Sequence, residues 1–92
     1  MAWTIELHET ALKQLGKLAK RDRPMARRIT DALAELGDLA DPRVRGKALT
    51  GPLTGLWRYR VGDWRIVADV QDARMVILAL DIEHRSTIYR RP

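Results

Sequence analysis

The stretch Trp57-Arg58-Tyr59-Arg60-Val61-Gly62-Asp63-Trp64-Arg65-Ile66-Val67 decides the fold. Two runs of alternating bulky and charged residues flank Gly62-Asp63. Glycine in the first of two loop positions is what a type II′ hairpin turn requires. A two-residue loop sets the register: Val61 opposite Trp64, Arg60 opposite Arg65, Tyr59 opposite Ile66 and Arg58 opposite Val67. Side chains alternate between the two faces of a strand. Trp57, Tyr59, Val61, Trp64, Ile66 and Ala68 therefore share a core face, and Arg58, Arg60 and Arg65 share the other.

The elements outside this hairpin follow from their periods. Trp3, Ile5 and Leu7 alternate with Thr4 and Glu6, the pattern of a short amphipathic strand. From Glu9 to Lys20, Ala11, Leu12, Leu15, Leu18 and Ala19 fall at helical spacing, with His8 at the helix entry. Asp22-Arg23-Pro24 breaks that helix and starts another, with Pro24 near the first helical position. The second helix lines up Met25, Ile29, Leu33 and Leu36, and Gly37-Asp38 and Asp41-Pro42 end it. Residues 41–55 read as a loop-rich connection that Leu49 and Leu53 pin to the core. After the hairpin, Gln71-Asp72-Ala73 turns the chain into an apolar strand from Met75 to Ile82. The prediction is one α+β domain over residues 1–92: an N-terminal strand, a two-helix hairpin, then an antiparallel three-strand meander, with the helices on one face of the sheet. Leu12, Leu15, Ile29, Leu33 and Leu36 are expected to pack on Trp57, Tyr59, Trp64 and Ile66.

Composition narrows the function. The 92 residues are 46% hydrophobic and 32% charged, an ordinary globular balance. Seventeen Lys and Arg against twelve Asp and Glu give a net charge of +5, which points to an anionic partner such as nucleic acid or an acidic protein. The cations are mostly arginine, suited to bidentate contact with phosphate. With no cysteine, disulfides, thiol nucleophiles and thiolate metal sites are excluded. Two histidines far apart in sequence suggest no metal pair, so neither metal nor cofactor is expected. No apolar run approaches the ~20 residues of a membrane span. The start Met1-Ala2-Trp3-Thr4-Ile5-Glu6 is unlike a signal peptide, and a cytoplasmic protein is expected.

Directly opposed like charges on a sheet cost a few tenths of a kcal/mol, up to roughly 1. Three guanidiniums in one patch therefore call for an anion across them. The plainer reading is solvated arginines splayed on an exposed face, paired with Asp69 or the C-terminus. The second basic segment, His84-Arg85-Ser86-Thr87-Ile88-Tyr89-Arg90-Arg91-Pro92, follows the last strand. Taken alone it reads as a solvated end, and Arg21, Arg23, Arg27 and Arg28 read as polar helix faces and ends.

Together, the order of elements and these two segments resemble the RelE/ParE toxin superfamily of bacterial type II toxin–antitoxin systems, and its RelE branch in particular. Gly55-Leu56-Trp57-Arg58-Tyr59-Arg60-Val61-Gly62-Asp63-Trp64-Arg65 is similar to that family's G-x-W-R-x-R-x-G-D-Y-R hairpin, with Trp64 where Tyr is usual. His84-Arg85-Ser86-Thr87-Ile88-Tyr89 is similar to its H-R-x-x-x-Y ending. The resemblance implies a RelE-like fold and a ribosome-dependent, metal-independent endoribonuclease that cuts mRNA in the decoding site. It also implies a cognate acidic antitoxin as partner, and operator DNA bound by the toxin–antitoxin complex. Carried over by position, the site comprises Arg58 and Arg60 on the first hairpin strand, Arg65 on the second, Arg85 and Tyr89. Some members place Lys where this chain has Arg58 and Arg60. A lysine can be tuned to lose its proton, whereas arginine keeps it, which argues against a general base on that strand.

Attack by the RNA's own 2′-OH needs a proton acceptor, stabilisation of charge on the phosphorane oxygens, and a proton for the leaving oxygen. Clustered guanidiniums meet the second need. For proton transfer the candidates are Tyr89, which can instead stack on a base, and His84, an imidazole. Two other functions compete. One is a ParE-branch toxin that inhibits DNA gyrase and cuts nothing. The other is a non-catalytic nucleic-acid-binding or regulatory protein whose arginines only hold phosphate.

Overall fold

The computed structural model describes residues 3–86. Seven elements run along the chain: β1 (Thr4–Leu7), α1 (Glu9–Arg21), α2 (Arg23–Gly37), β2 (Lys47–Ala48), β3 (Trp57–Val61), β4 (Trp64–Gln71) and β5 (Val76–His84). Short 3-10 turns at Pro42–Arg45 and Gly51–Leu53 flank β2. The strands form one sheet in the order β1-β5-β4-β3-β2, antiparallel except for β1 against β5. The expected meander is its centre. β1 closes one edge in parallel, and β2, read from sequence as part of a loop, closes the other.

The helix boundaries have local causes. His8 Nδ1 accepts from the Thr10 amide at 3.2 Å and caps α1, with Glu9 in the first turn and Lys20 and Arg21 in the last to match the helix dipole. Asp22 ends α1 and begins α2: its amide donates to Leu18 at 2.7 Å and its Oδ1 accepts from Met25 N at 3.1 Å. β1 stops level with Ala79, so the rest of β5 lacks a strand on that side. Gln14 of α1 takes the strand's place. Its Oε1 accepts from Ile82 N and its Nε2 donates to Asp81 Oδ1, both at 2.6 Å.

The core lies between the helices and one face of the sheet. Ala11, Leu18, Ala26, Ile29, Leu33 and Leu36 meet Tyr59, Val61, Ile66, Ala68, Ile77, Ala79 and Ile82, with Leu15, Trp57 and Trp64 partly buried around them. Leu12 departs from expectation and is 57% exposed. At about 100° per residue, positions 11, 15 and 18 point at the sheet while position 12 turns away toward the outer groove with α2. The final strand also begins one residue later than expected. Met75 adopts φ 52° as its amide closes the turn onto Asp72 O at 3.1 Å, and pairing starts at Val76.

Residues 41–48 are held down from three directions. Tyr59 Oη donates to Pro42 O at 2.9 Å, both groups being buried. Gly46 lies flat on the same ring, where a Cβ would come within 2.9 Å of Tyr59 Cε1. Arg43 bridges Asp41 and Asp72, and its guanidinium holds the Asp72 carboxyl below the usual carboxylate range. This anchoring brings Lys47 opposite Arg58.

Candidate functional site

The hairpin register is the one the two-residue turn dictates, with Arg60 opposite Arg65 and Arg58 opposite Val67. Gly62 carries φ 58°, and Asp63 is not among the residues with positive φ, as a type II′ turn demands. Tyr59, Val61 and Ile66 are buried on the helix side, which places Arg58, Arg60 and Arg65 together on the open face. Lys47 extends this patch through its register with Arg58.

Three of the sequence-predicted arginines converge on the turn itself. Arg65 Nη1 donates to Gly62 O at 3.3 Å and to Trp64 O at 3.2 Å. Arg60 Nε reaches the same Gly62 carbonyl at 3.5 Å. Arg85, just past β5, donates its amide to Asp63 O at 2.8 Å and brings Nη1 to 3.8 Å from Asp63 Oδ1. One tight turn thus gathers guanidiniums from β3, β4 and the end of β5. The Gly62 carbonyl, a strong acceptor, holds two of these charges side by side, and the Asp63 carboxylate draws in the third.

Arg65 is the most constrained of them, at 7% exposure. Nη1 is committed to the turn, and among the described residues Nε and Nη2 find no acceptor. A guanidinium fixed at one nitrogen with its remaining donors available is arranged for bidentate contact with a phosphate. Across β5 its register neighbour is Glu83, 9% exposed. The acid beside the patch is thus Glu83 rather than Asp69, whose carboxylate accepts from Gln71 Nε2 at 3.0 Å.

His84 is placed elsewhere. It pairs in register with Trp64 on the helix side, edge to face with that indole at 5.4 Å between centroids, and its Nδ1 lies 2.8 Å from Ser86 Oγ. The described residues do not bring it to the open face with Arg65. Tyr89 lies outside the described residues. Among the described residues no group of three or more His, Asp or Glu side chains is placed to hold a metal ion.

Two neighbours of the site escape a reading of the sequence. Arg28 of α2 brings its guanidinium to about the van der Waals distance of where a Gly62 Cβ would lie, with Nη1 at 3.5 Å. Nothing in the helical pattern signals that approach. Glu83 is hidden by a register shift between Val67 and Ala68. Counting back from the β4–β5 turn would set Ile82 opposite Arg65. The extra residue in β5, Leu80, moves the pairing by one, turning Ile82 to the core and Glu83 to the open face.

Residues 5–89 match the family described as ParE toxin of type II toxin-antitoxin system, parDE. The chain is 33% identical over 94 residues to Toxin RelG of Mycobacterium tuberculosis, covering 99% of this chain and 100% of that one. Among solved structures, it is similar to the toxin–antitoxin complex RelBE2 of M. tuberculosis, with TM-score 0.76 and 27% identity over 92% of this chain and 100% of that one. It is also similar to the archaeal RelE–RelB complex of Pyrococcus horikoshii, with TM-score 0.70 and 27% identity over 92% and 97% of the two chains.

Proposed function

Because the chain belongs to the RelE/ParE toxin superfamily of type II toxin–antitoxin systems, we propose that it acts as a ribosome-dependent endoribonuclease, cutting mRNA by attack of the RNA's own 2′-OH. The observation that carries this reading is the convergence of Arg60, Arg65 and Arg85 on one turn, with Arg65 Nε and Nη2 finding no acceptor among the described residues. In the reaction these groups would hold the scissile phosphate, and their charge would matter most as negative charge builds on the phosphorane oxygens. Arg58 supplies further positive charge along the same face. Tyr89 is proposed to orient the RNA or move a proton, and His84 is the remaining proton-transfer candidate, from the other face of β5. The protein would work in the cytoplasm; no helix among the described residues is long and apolar enough to cross a membrane. An acidic antitoxin would silence it by covering the cationic face, and the pair would bind its operator DNA. That partner is supported by the toxin–antitoxin complexes among the similar structures.

The match to a family described as ParE toxin favours a second reading, inhibition of DNA gyrase without RNA cleavage. Purified protein assayed in parallel on programmed ribosomes and on gyrase-catalysed supercoiling separates the two. Cleaved mRNA with unaffected supercoiling supports the nuclease; the reverse result rejects it.

A further inference from the structure

A concavity of about 670 Å³ lies on the side of the sheet away from the arginine patch. It opens between α1 and the ends of β4 and β5. It is lined by the apolar Leu18 and Ile82, by Trp64 with His84 against it, by the cations Lys17 and Arg21, and by one acid, Glu83. The volume is that of a small-ligand site, for which roughly 300–1,000 Å³ is usual. Lys17 and Arg21 are one helical turn apart and therefore neighbours on α1. Neither has a carboxylate partner among the described residues, whereas Lys13 pairs with Glu9 at 3.1 Å. Like charges at this spacing oppose the helix slightly, and an anion between them would remove that opposition. The Trp64 indole is held by His84 at an interplanar angle of 81°, and the His84 ring is itself held by Ser86.

We infer that this cleft binds one nucleotide of a single-stranded RNA, with the base against Trp64 and the phosphate between Lys17 and Arg21. An aromatic ring and paired cations in one cleft are the combination that single-stranded nucleic acid selects, because every base has a face to stack and every phosphate a charge to neutralise. The cleft is also continuous with the arginine site. Trp64 directly follows Asp63, and its carbonyl takes the hydrogen bond from Arg65. An RNA strand leaving the open face therefore passes over the Gly62-Asp63 tip and Arg85 and meets Trp64 on the far side. The choice of ligand rests on the RNA-directed reading above, and the test reads binding rather than cleavage so that the two can fail separately.

The probe is a fluorescein-labelled single-stranded RNA of about ten nucleotides carrying 2′-O-methyl groups, which block attack by the 2′-oxygen. Its anisotropy is followed with the full chain at several salt concentrations. The double variant Lys17→Ala/Arg21→Ala should bind about tenfold more weakly. Its slope of log affinity against log salt should shrink by about 0.7, the contribution of one neutralised phosphate on a single strand. Lys13→Ala/Lys20→Ala removes equal charge from the same helix outside the cleft and should change affinity by less than about twofold. Trp64→Leu should weaken binding about tenfold with the salt slope unchanged, as loss of stacking does; should that variant not fold, the two double variants decide. Equal losses in both doubles would mean diffuse attraction and overturn the inference. So would a labelled poly-glutamate peptide that needs Lys17 and Arg21 while the RNA does not, which would mark a protein-docking cleft. Wild-type protein that binds this RNA through the cleft yet cuts no mRNA would leave the inference standing and remove the nuclease reading.

Discussion

Replacing Tyr59 by Phe tests the anchoring that brings β2 to the cationic face. The ring is 4% exposed, and its hydroxyl donates to the buried Pro42 carbonyl at 2.9 Å. Phe keeps the ring under Gly46 and removes one hydrogen bond, leaving a buried acceptor unsatisfied, at a cost of about 1–2 kcal/mol. For a domain of this size each kcal/mol lowers the melting temperature by about 4–8 °C, so a fall of roughly 4–16 °C is expected. The pH dependence supplies a sharper criterion. Burial raises the Tyr59 phenol above its ordinary value. Between about pH 10, where an unfolded tyrosine titrates, and the raised folded value, the unfolded state loses a proton that the folded state keeps. Stability from this group is thus fully present below about pH 10 and is lost as pH rises toward the folded value. The advantage of wild type over Tyr59→Phe, measured by urea unfolding, should be constant from pH 7 to about 10 and shrink above it. A gap that stays constant or widens above pH 10, or a variant as stable as wild type, would refute the reasoning.

Gly46→Ala places a methyl 2.9 Å from Tyr59 Cε1 and 3.3 Å from Trp57 Cε3. Overpacking against this buried ring should cost about 1–3 kcal/mol, and amide exchange at Lys47 and Ala48 should accelerate as β2 loosens. On α1, Leu12→Ser should change stability by less than about 0.5 kcal/mol, because Leu12 is exposed. Leu18→Ala, at 4% exposure, should cost about 2–5 kcal/mol in the same chemical-denaturation assay.

How much could be read from residues alone depended on whether the controlling contact was local. Gly62-Asp63 fixes a turn, the turn fixes a register, and the register separates Tyr59 and Ile66 from Arg60 and Arg65. Each step involves near neighbours in sequence. The caps at His8 and Asp22 are local in the same way. What escaped depends on partners far along the chain. Lys47–Ala48 is too short to show alternation and becomes a strand because Tyr59 and Arg43 hold the preceding turn in place. Leu12 belongs to an apolar helical stripe, yet only the sheet's position decides which edge of that stripe is covered. The Leu80 bulge reverses side-chain direction beyond it, and no pattern of apolar residues in Met75 to Ile82 announces it. In the candidate site, the four arginines were visible from alternation and from resemblance. The use of the Gly62 carbonyl by both Arg60 and Arg65, and the nearness of Arg28 and Glu83, depend on the three-dimensional fold.

The guanidiniums at the Gly62-Asp63 turn either serve the chemical step or merely dock the protein. The direct measurement is single-turnover cleavage of mRNA on programmed ribosomes by wild type, Arg65→Ala and Arg85→Ala, with ribosome binding determined separately for each. Loss of a strong transition-state donor should lower the cleavage rate by about two to three orders of magnitude. Binding should fall far less, since the remaining Lys and Arg still attract the RNA backbone. Rate and binding falling in equal proportion, or a wild-type protein that leaves the mRNA intact, would contradict a role in the chemical step.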